Sequence, residues 1–512
     1  MLSGIMSYKK LYIHLFLFST IFYIVFISQT LTNVYDGLWN GFAYTAGAQE
    51  FSTGRWMLPY LDRLHLSMHL EPITSCVTLA LILAAVILIL DIFKVKGLLS
   101  YIISIYVMTS TVITCILSYR YTAMTYGLCV LLSVAAAWVL THRELNLWRY
   151  LLSCSFVVLS LGIYQANIAV TAVLMVFMFI DMLLRERPAL EIWEHVLASA
   201  LILILGCIIY RVIAVLHMTV LDISPSTYMG ADEISVSGMI IALPNSIAKC
   251  YDTFRRYFFT DGFIYYNIFQ RFGIFKYVFT GFMVLIGVMG IWKLVRNRHY
   301  GSAVLVLLAY LVLPIACDLS LLFAVKAGVL IQMTFALSLV FQLMLCIADM
   351  PELKAFGRPA VCIFIMIAVF FTYGNAWQST RDIDAMYEGR NASRNLMEHV
   401  ADELIREDLL SIDREYVLIG CPADNETLFV TTNLFERTNA YARYGEFWTA
   451  ADCMRMSYYG ILRDISVNMP LVTDDVYESM RYLPEIESMP KFPAEGSIKE
   501  IDGYVVVKVG GG

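Results

Sequence analysis

The sequence predicts an all-α polytopic membrane protein of about eleven transmembrane helices that ends in a small extracytoplasmic α/β domain. Three observations lead there. Of the 512 residues, 59% are hydrophobic and only 15% charged, with a mean hydropathy of +0.69, whereas a soluble domain carries roughly a quarter charged residues. Apolar runs recur at lengths of about 17 to 25 residues, which an α-helix needs to cross a hydrocarbon core of about 30 Å; barrel strands would be far shorter. From about Trp377 onward the long apolar runs give way to short alternating elements.

Crossings are expected near residues 10–29, 73–93, 98–117, 122–140, 150–164, 167–184, 196–217, 277–295, 301–317, 328–348 and 359–376. The first follows Lys9 and Lys10 and has the length of a span, with no small-residue cleavage site behind it, so it reads as a retained signal anchor. The block from Tyr150 to Leu184 is too long for one straight helix, and its polar break at Gly162–Asn167 divides it into two spans meeting at the external face. Loops holding Lys94 and Lys96, Arg143 and Arg149, Arg185 and Arg187, Lys293, Arg296 and Arg298, and Lys354 and Arg358 then fall on one side. That side is the cytoplasm by the excess of basic residues, with the N-terminus inside and the C-terminus outside.

Residues 1–376 thus form a transmembrane domain with external loops at 30–72 and 218–276, and residues 377–512 a soluble extracytoplasmic domain. The second loop mixes Asp232, Glu233, Lys249, Arg255, Arg256 and Asp261 with Tyr251, Tyr257, Phe258, Phe259, Tyr265 and Tyr266, the composition of helices lying at headgroup level. In the tail, a helical pattern covers Asp382 to Asp408, an apolar strand Tyr416 to Gly420, and helices Ala450 to Asp464 and Asp474 to Tyr482. A closing hairpin turns at Asp502-Gly503.

The net charge of −6 and the lack of a basic block leave no footprint for nucleic acid. Most of the eleven cysteines sit in apolar runs without metal-ligand spacing, as small hydrophobes do. Cys421 and Cys453 lie in the polar tail, where they either pair or remain two thiols. There is no Walker motif, dinucleotide-binding glycine fingerprint or zinc spacing, so no cofactor is expected.

The first external loop is the strongest candidate for chemistry, because it sets Asp36, Glu50, Arg55, Trp56, Asp62 and Arg63 beside a membrane surface, where ionisable residues are costly. Asp36, between Tyr35 and Trp39, either caps a short helix or turns with Gly37, or serves as a base. Arg55, Arg120, Arg255 and Arg256 are the external arginines able to grip phosphate oxygens bidentately; anchoring at headgroups is the other role for each. Tyr164, Gln165 and Asn167 form a polar kink suited to helix–helix hydrogen bonds or to a sugar subsite. Asp382 and Asp384 make an Asp-x-Asp that a helix N-terminus explains equally well.

An acidic residue directly after the first helix is similar to membrane glycosyltransferases of the GT-C superfamily. The sequence resembles more closely the bacterial O-antigen, serotype-converting glucosyltransferases of Gtr type (glucosyl transferase II-like). The resemblance rests on Ser52-Thr-Gly-Arg-Trp56, on Ser160-Leu-Gly-Ile-Tyr-Gln165, and on Pro493-Ala-Glu-Gly-Ser-Ile498 leading into Asp502-Gly-Tyr-Val-Val-Val-Lys508. Such loops often present two adjacent acidic residues, whereas Gly37 follows Asp36 here.

What the resemblance implies is a GT-C-like fold in a bacterial cytoplasmic (inner) membrane. Asp36 would be the catalytic base, Arg55, Arg120, Arg255 and Arg256 would face the donor phosphate, and Tyr35, Trp39, Glu50, Trp56, Tyr164 and Gln165 would line the substrates. The donor would be a polyprenyl-phosphate-linked hexose, in all expectation glucose, and the acceptor a surface glycan or its lipid-linked precursor. A small flippase and a polyprenyl-phosphate glucosyl synthase would be partners. The rival from another class is a transporter or flippase of lipid-linked sugars, which would bury charges at mid-span and break helices there; a non-catalytic membrane assembly factor is the third reading.

Overall fold

The computed structural model describes residues 5–34, 36–40, 44–64, 70–141, 146–227, 236–260, 273–323, 328–350, 358–430, 434–446 and 451–511. Tyr35 lies outside them, as do the side chains of Trp39 and Cys453. In the second loop Asp232, Glu233, Asp261, Tyr265 and Tyr266 also lie outside.

The chain is a multi-pass membrane protein. Among the described residues six helices are long and apolar enough to cross a bilayer: Ile73–Phe93, Gln165–Leu184, Ala189–Val220, Gly273–Arg296, Tyr300–Cys317 and Val361–Arg406. The pair Leu98–Met108 and Thr111–Ser118, bent by 46°, makes a seventh if counted as one span. Other expected crossings coincide with Lys9–Phe22 and Ile24–Ser28, Ala123–Val139, Leu147–Ile163 and Phe335–Ala348. At 14 to 17 residues the longer of these reach about 21 to 26 Å, less than a hydrocarbon core of about 30 Å, so helix length alone does not yield eleven.

Two compact units divide the chain. The first comprises Met1–Ile24, Tyr44–Leu117 and Thr122–Ser379. Its interior is the helix Phe335–Ala348, every residue of which is buried, together with Ile168–Leu184 and Ala123–Val139. Ala189–Val220 lies at the other extreme, exposing Leu197, Leu201, Ile204, Ile208, Val212 and Leu216 along one helical stripe. An apolar stripe at this spacing faces lipid.

Inside, short polar side chains take the place of a hydrophobic driving force, which lipid tails do not supply. Ser133 Oγ and Ser160 Oγ lie 2.6 Å apart, Thr171 donates to the Ser133 carbonyl at 2.8 Å, and Ser153 to that of Ala136 at 2.8 Å. Gly127 allows close approach, since a Cβ there would stand 3.2 Å from the Thr78 carbonyl oxygen.

The second unit comprises Val25–Ala43, Ser118–Tyr121 and Thr380–Gly512. Its sheet has the order β1-β3-β2, with β1 (Tyr416–Ile419) parallel to β3 (Tyr504–Lys508) and β2 (Ile498–Ile501) antiparallel to it. Asp502 and Gly503 both have positive φ, 52° and 84°, the requirement of the tight hairpin turn that an Asp-Gly pair favours. Helices Ala451–Asp464 and Asp474–Met480 follow the expected pattern.

Part of the loop expected at 30–72 belongs to this unit. Tyr444 donates to the Thr32 carbonyl at 2.7 Å, Ser457 to that of Val34 at 3.0 Å and Arg463 to that of Leu38 at 2.9 Å. Gly460 makes room for the short helix Asp36–Asn40: a Cβ on it would stand 2.6 Å from the Leu38 oxygen. A division at residue 377 follows contiguous composition; the observed one falls at Ser379/Thr380, inside the helix Arg358–Arg406, and recruits 25–43 and 118–121 as well. Asp382 is fully buried and accepts from Asn439 Nδ2 at 2.6 Å and Tyr441 Oη at 2.7 Å, which makes it a structural anchor. Cys421 donates its thiol to the carbonyls of Gly445 and Glu446.

Candidate functional site

Residues 44–64 of the first loop fold around two buried carboxylates. Glu50, in the turn of helix Ala48–Ser52, accepts from the Gly47 backbone N–H at 2.6 Å and from the Tyr44 hydroxyl. Asp62, in helix Leu58–Leu64, accepts from the Ala46 N–H at 2.9 Å. Burying a carboxylate is costly unless donors replace its water, and these donors do so. Burial first, and then the hydrogen bond to Glu50, push the Tyr44 hydroxyl far above its usual range. It therefore stays a proton donor to Glu50.

Arg55 follows on the same loop. Its backbone N–H bonds the Glu50 carbonyl at 2.8 Å, and its guanidinium carbon lies 5.3 Å from the centre of the Tyr164 ring. A cation over an aromatic face is attracted by the ring's quadrupole, and the planar guanidinium is the side chain best shaped to meet a phosphate. Gly54 has φ +80° and abuts Tyr210, a Cβ there standing 2.5 Å from the hydroxyl, so glycine is needed twice over.

The break expected at 162–167 is real: helix Leu147–Ile163 ends, Gln165–Asn167 forms a 3₁₀ turn, and Ile168–Leu184 begins. This break grips the loop. Gln165 Nε2 donates to the Thr53 carbonyl and to Tyr210 Oη, each at 2.8 Å, and the Gly162 carbonyl accepts from Met57 N–H at 2.9 Å. Trp56 lies over Gly162, whose absent Cβ would meet the indole at 2.6 Å. On its other side Trp56 stacks on His217 (5.6 Å, 18°), which also stacks on Phe51 (5.5 Å, 13°) and meets Tyr60 Oη at 2.9 Å.

Glu50, Arg55, Trp56, Tyr164 and Gln165 are therefore brought together. Sequence reading missed Tyr44, Tyr210 and His217; the last two betray themselves only as polar residues in the C-terminal half of an apolar span. Arg255 and Arg256 stand apart on helix Val236–Phe259, exposed, with Asp252 2.7 Å from the first and 3.7 Å from the second.

Asp36 and Arg120 belong to the second unit. Arg120 donates to the Thr30 carbonyl at 3.1 Å. Asp36 is half-buried and opens the helix Asp36–Asn40. The cap of that helix is Asn33, whose Oδ1 accepts from the Gly37 N–H at 3.0 Å, so the capping role considered for Asp36 is filled by another residue. Among the described residues no group of three or more His, Cys, Asp or Glu is arranged to hold a metal ion.

Comparison with known proteins adds one finding. A family model described as Glucosyl transferase GtrII matches residues 40–345, more than half of the chain. The matched stretch includes the Glu50–Arg55 loop and the break at Gln165, and it begins after Asp36. No curated protein and no solved structure matches the chain.

Proposed function

The chain belongs to the glucosyl transferase GtrII family, and from that premise we propose that it transfers glucose from a polyprenyl-phosphate donor to a cell-surface glycan or its lipid-linked precursor, outside the cytoplasm. The observation that carries the donor class is the seating of Arg55. It is a cation over Tyr164, on a loop clamped by Gln165 and Glu50, at the end of apolar helices able to receive a polyprenyl tail.

In the proposed reaction the acceptor oxygen attacks the anomeric carbon and the bond from that carbon to the donor phosphate breaks. The electron pair leaves with the polyprenyl phosphate, whose charge Arg55 meets. The acceptor's proton passes to Asp36, the base of this reading, a half-buried carboxylate at the start of helix Asp36–Asn40. Glu50, Trp56, Tyr164 and Gln165 hold or line the site; Arg120, Arg255 and Arg256 are secondary phosphate contacts in this proposal, as Tyr35 and Trp39 are substrate contacts. The energy comes with the donor, and no cofactor is invoked. The fold is taken as GT-C-like with eleven crossings in a bacterial cytoplasmic membrane, N-terminus inside and residues 377–512 outside, with a small flippase and a polyprenyl-phosphate glucosyl synthase supplying the donor.

The deciding experiment is transfer from polyprenyl-phosphate glucose by equally expressed wild type and Asp36→Asn. Asn keeps shape and capping ability but accepts no proton, so the rate should fall by about 10² to 10⁴. A rate above half that of wild type would remove Asp36 as the base. Cysteine labelling should find Thr260 and Asn425 outside and Lys94 and Arg296 inside; a cytoplasmic Asn425 would overturn the topology.

A flippase of lipid-linked sugars is the second reading, favoured by the 46° bend between Leu98–Met108 and Thr111–Ser118, since transporters build sites at broken helices. Movement of a lipid-linked sugar across vesicles without glucosyl transfer would favour it.

A further inference from the structure

Asp318 lies one residue beyond the span Tyr300–Cys317, at the end that the basic-residue asymmetry assigns to the outside. It is 4% exposed, yet its Oδ2 has no hydrogen-bond partner among the described residues. Buried polar atoms are nearly always partnered, so one that is not calls for an explanation.

The turn that Asp318 opens, Leu319–Leu322, packs against helix Ile168–Leu184 and against two further elements of the same unit. One is helix Val236–Phe259, from which Cys250 Sγ reaches the Asp318 carbonyl at 3.6 Å. The other is the turn Gln165–Asn167, which also holds the Arg55 loop through Gln165 and Thr53. A single 3₁₀ turn therefore abuts both the Arg55 loop and the Asp318 turn.

Among the described residues no cation pairs with Asp318, and it stands at a helix C-terminus, whose partial negative charge opposes a carboxylate. Burial pushes its carboxyl up to about 8. The titratable groups around it are Cys317 on its own helix, and Cys250 with Lys249 beside it on Val236–Phe259; burial pushes the Cys250 thiol up to about 12. Gln165–Asn167 and Leu319–Leu322 contribute no charged side chain, and the one on Ile168–Leu184, Asp181, lies near the far end of that helix.

We propose that Asp318, as a neutral carboxylic acid, donates a hydrogen bond to a phosphate oxygen of the lipid-linked sugar donor, working alongside Arg55. The proposal rests on the donor class inferred above. Phosphodiester oxygens only accept, so a protonated carboxyl binds them and an ionised one repels them. It is a binding residue outside the proton transfer assigned to Asp36.

The test is the KM for polyprenyl-phosphate glucose in proteoliposomes between pH 6.5 and 9. The donor keeps its single charge and Arg55 its proton over that range. An acid one unit above its pKa is about one-tenth protonated, so the wild-type donor KM should rise about tenfold by pH 9 while the acceptor KM stays level. Asp318→Asn, which keeps an N–H donor, should bind the donor within about threefold of wild type at pH 6.5 and show no rise; Asp318→Leu should raise the donor KM about tenfold or more at every pH, the usual worth of a hydrogen bond to a charged group.

A flat wild-type profile, or the same rise in Asp318→Asn, would overturn the assignment, as would a pH effect confined to the acceptor KM. These outcomes leave the transferase reading standing. Wild type that fails to use this donor at any pH would instead sink that reading, and this one with it.

Discussion

Arg55 and Arg255 invite direct comparison, because both lie in polar segments between apolar helices, each with a tyrosine and a carboxylate near in sequence. Arg55 sits on a loop whose carboxylates accept from Tyr44 and from backbone N–H groups, and its charge rests over the Tyr164 ring. Arg255 is exposed and bonds Asp252 at 2.7 Å, three residues back on its own helix. The difference teaches that the two arginines are seated by different forces, one on an aromatic face within a hydrogen-bonded loop and the other by a carboxylate of its own helix. An exposed arginine beside a carboxylate one helical turn away spends its charge locally and gains little from doing so.

The sharpest way to break this comparison is at Arg55. Arg55→Ala should lower kcat/KM for the lipid-linked donor by about 10- to 100-fold or more, the worth of hydrogen bonds to a charged group. Arg55→Lys, which keeps charge but loses the fork, should lie between the two. Loss of acceptor affinity with donor affinity intact would move Arg55 to the other substrate.

Gly162→Ala tests whether the loop is held by the helix break. The new Cβ falls 2.6 Å from the Trp56 indole, so the ring must shift, at a cost of about 1 to 3 kcal/mol. The midpoint of thermal unfolding should drop and tryptophan emission should change. Unchanged emission would show that Trp56 is not seated on Gly162.

A smaller effect is expected at Gln165→Ala, which removes the two 2.8 Å bonds to Thr53 and Tyr210. At about 1 kcal/mol net per hydrogen bond, transfer should fall about 5- to 30-fold with expression preserved. Equal loss in Tyr210→Phe would not be expected, because that hydroxyl accepts from Gln165 and its removal leaves the Thr53 bond in place.

The smallest effect belongs to Arg255→Ala and Arg256→Ala, each expected within about twofold of wild type, as exposed ion pairs are worth about 0 to 1 kcal/mol. A tenfold loss at either would erase the contrast with Arg55 and raise that arginine from a secondary to a principal phosphate contact.

Much of the fold is legible in the sequence, but unevenly. The long apolar runs announce the spans because each must satisfy its own backbone and bury no charge, and the polar break at 162–167 appears as an interruption in such a run. The hairpin at Asp502-Gly503 is equally local, since positive φ at both positions is a property of the pair. The assignment of 25–43 and 118–121 to the same unit as the tail is not legible, because it arises from bonds such as Tyr444 to Thr32, over four hundred residues apart.

The candidate site divides in the same way. Glu50, Arg55, Trp56, Tyr164 and Gln165 are visible as polar residues that a membrane protein would not place there without use. Tyr44, Tyr210 and Asp318 are ordinary letters in the sequence, and only packing makes one a donor to Glu50, one a partner of Gln165 and one a buried acid.

By itself, then, the sequence determines the membrane class, most helices, the sheet-bearing tail and the polar loop proposed to hold the chemistry, because hydropathy, charge and turn propensity act over a few neighbouring residues. Tertiary structure alone decided that Arg55 rests on an aromatic ring while Arg255 rests on Asp252, that Asn33 rather than Asp36 caps its helix, and that Asp318 is buried with an unmet oxygen. Burial and the pairing of charges depend on which distant segments meet, and no local pattern encodes that.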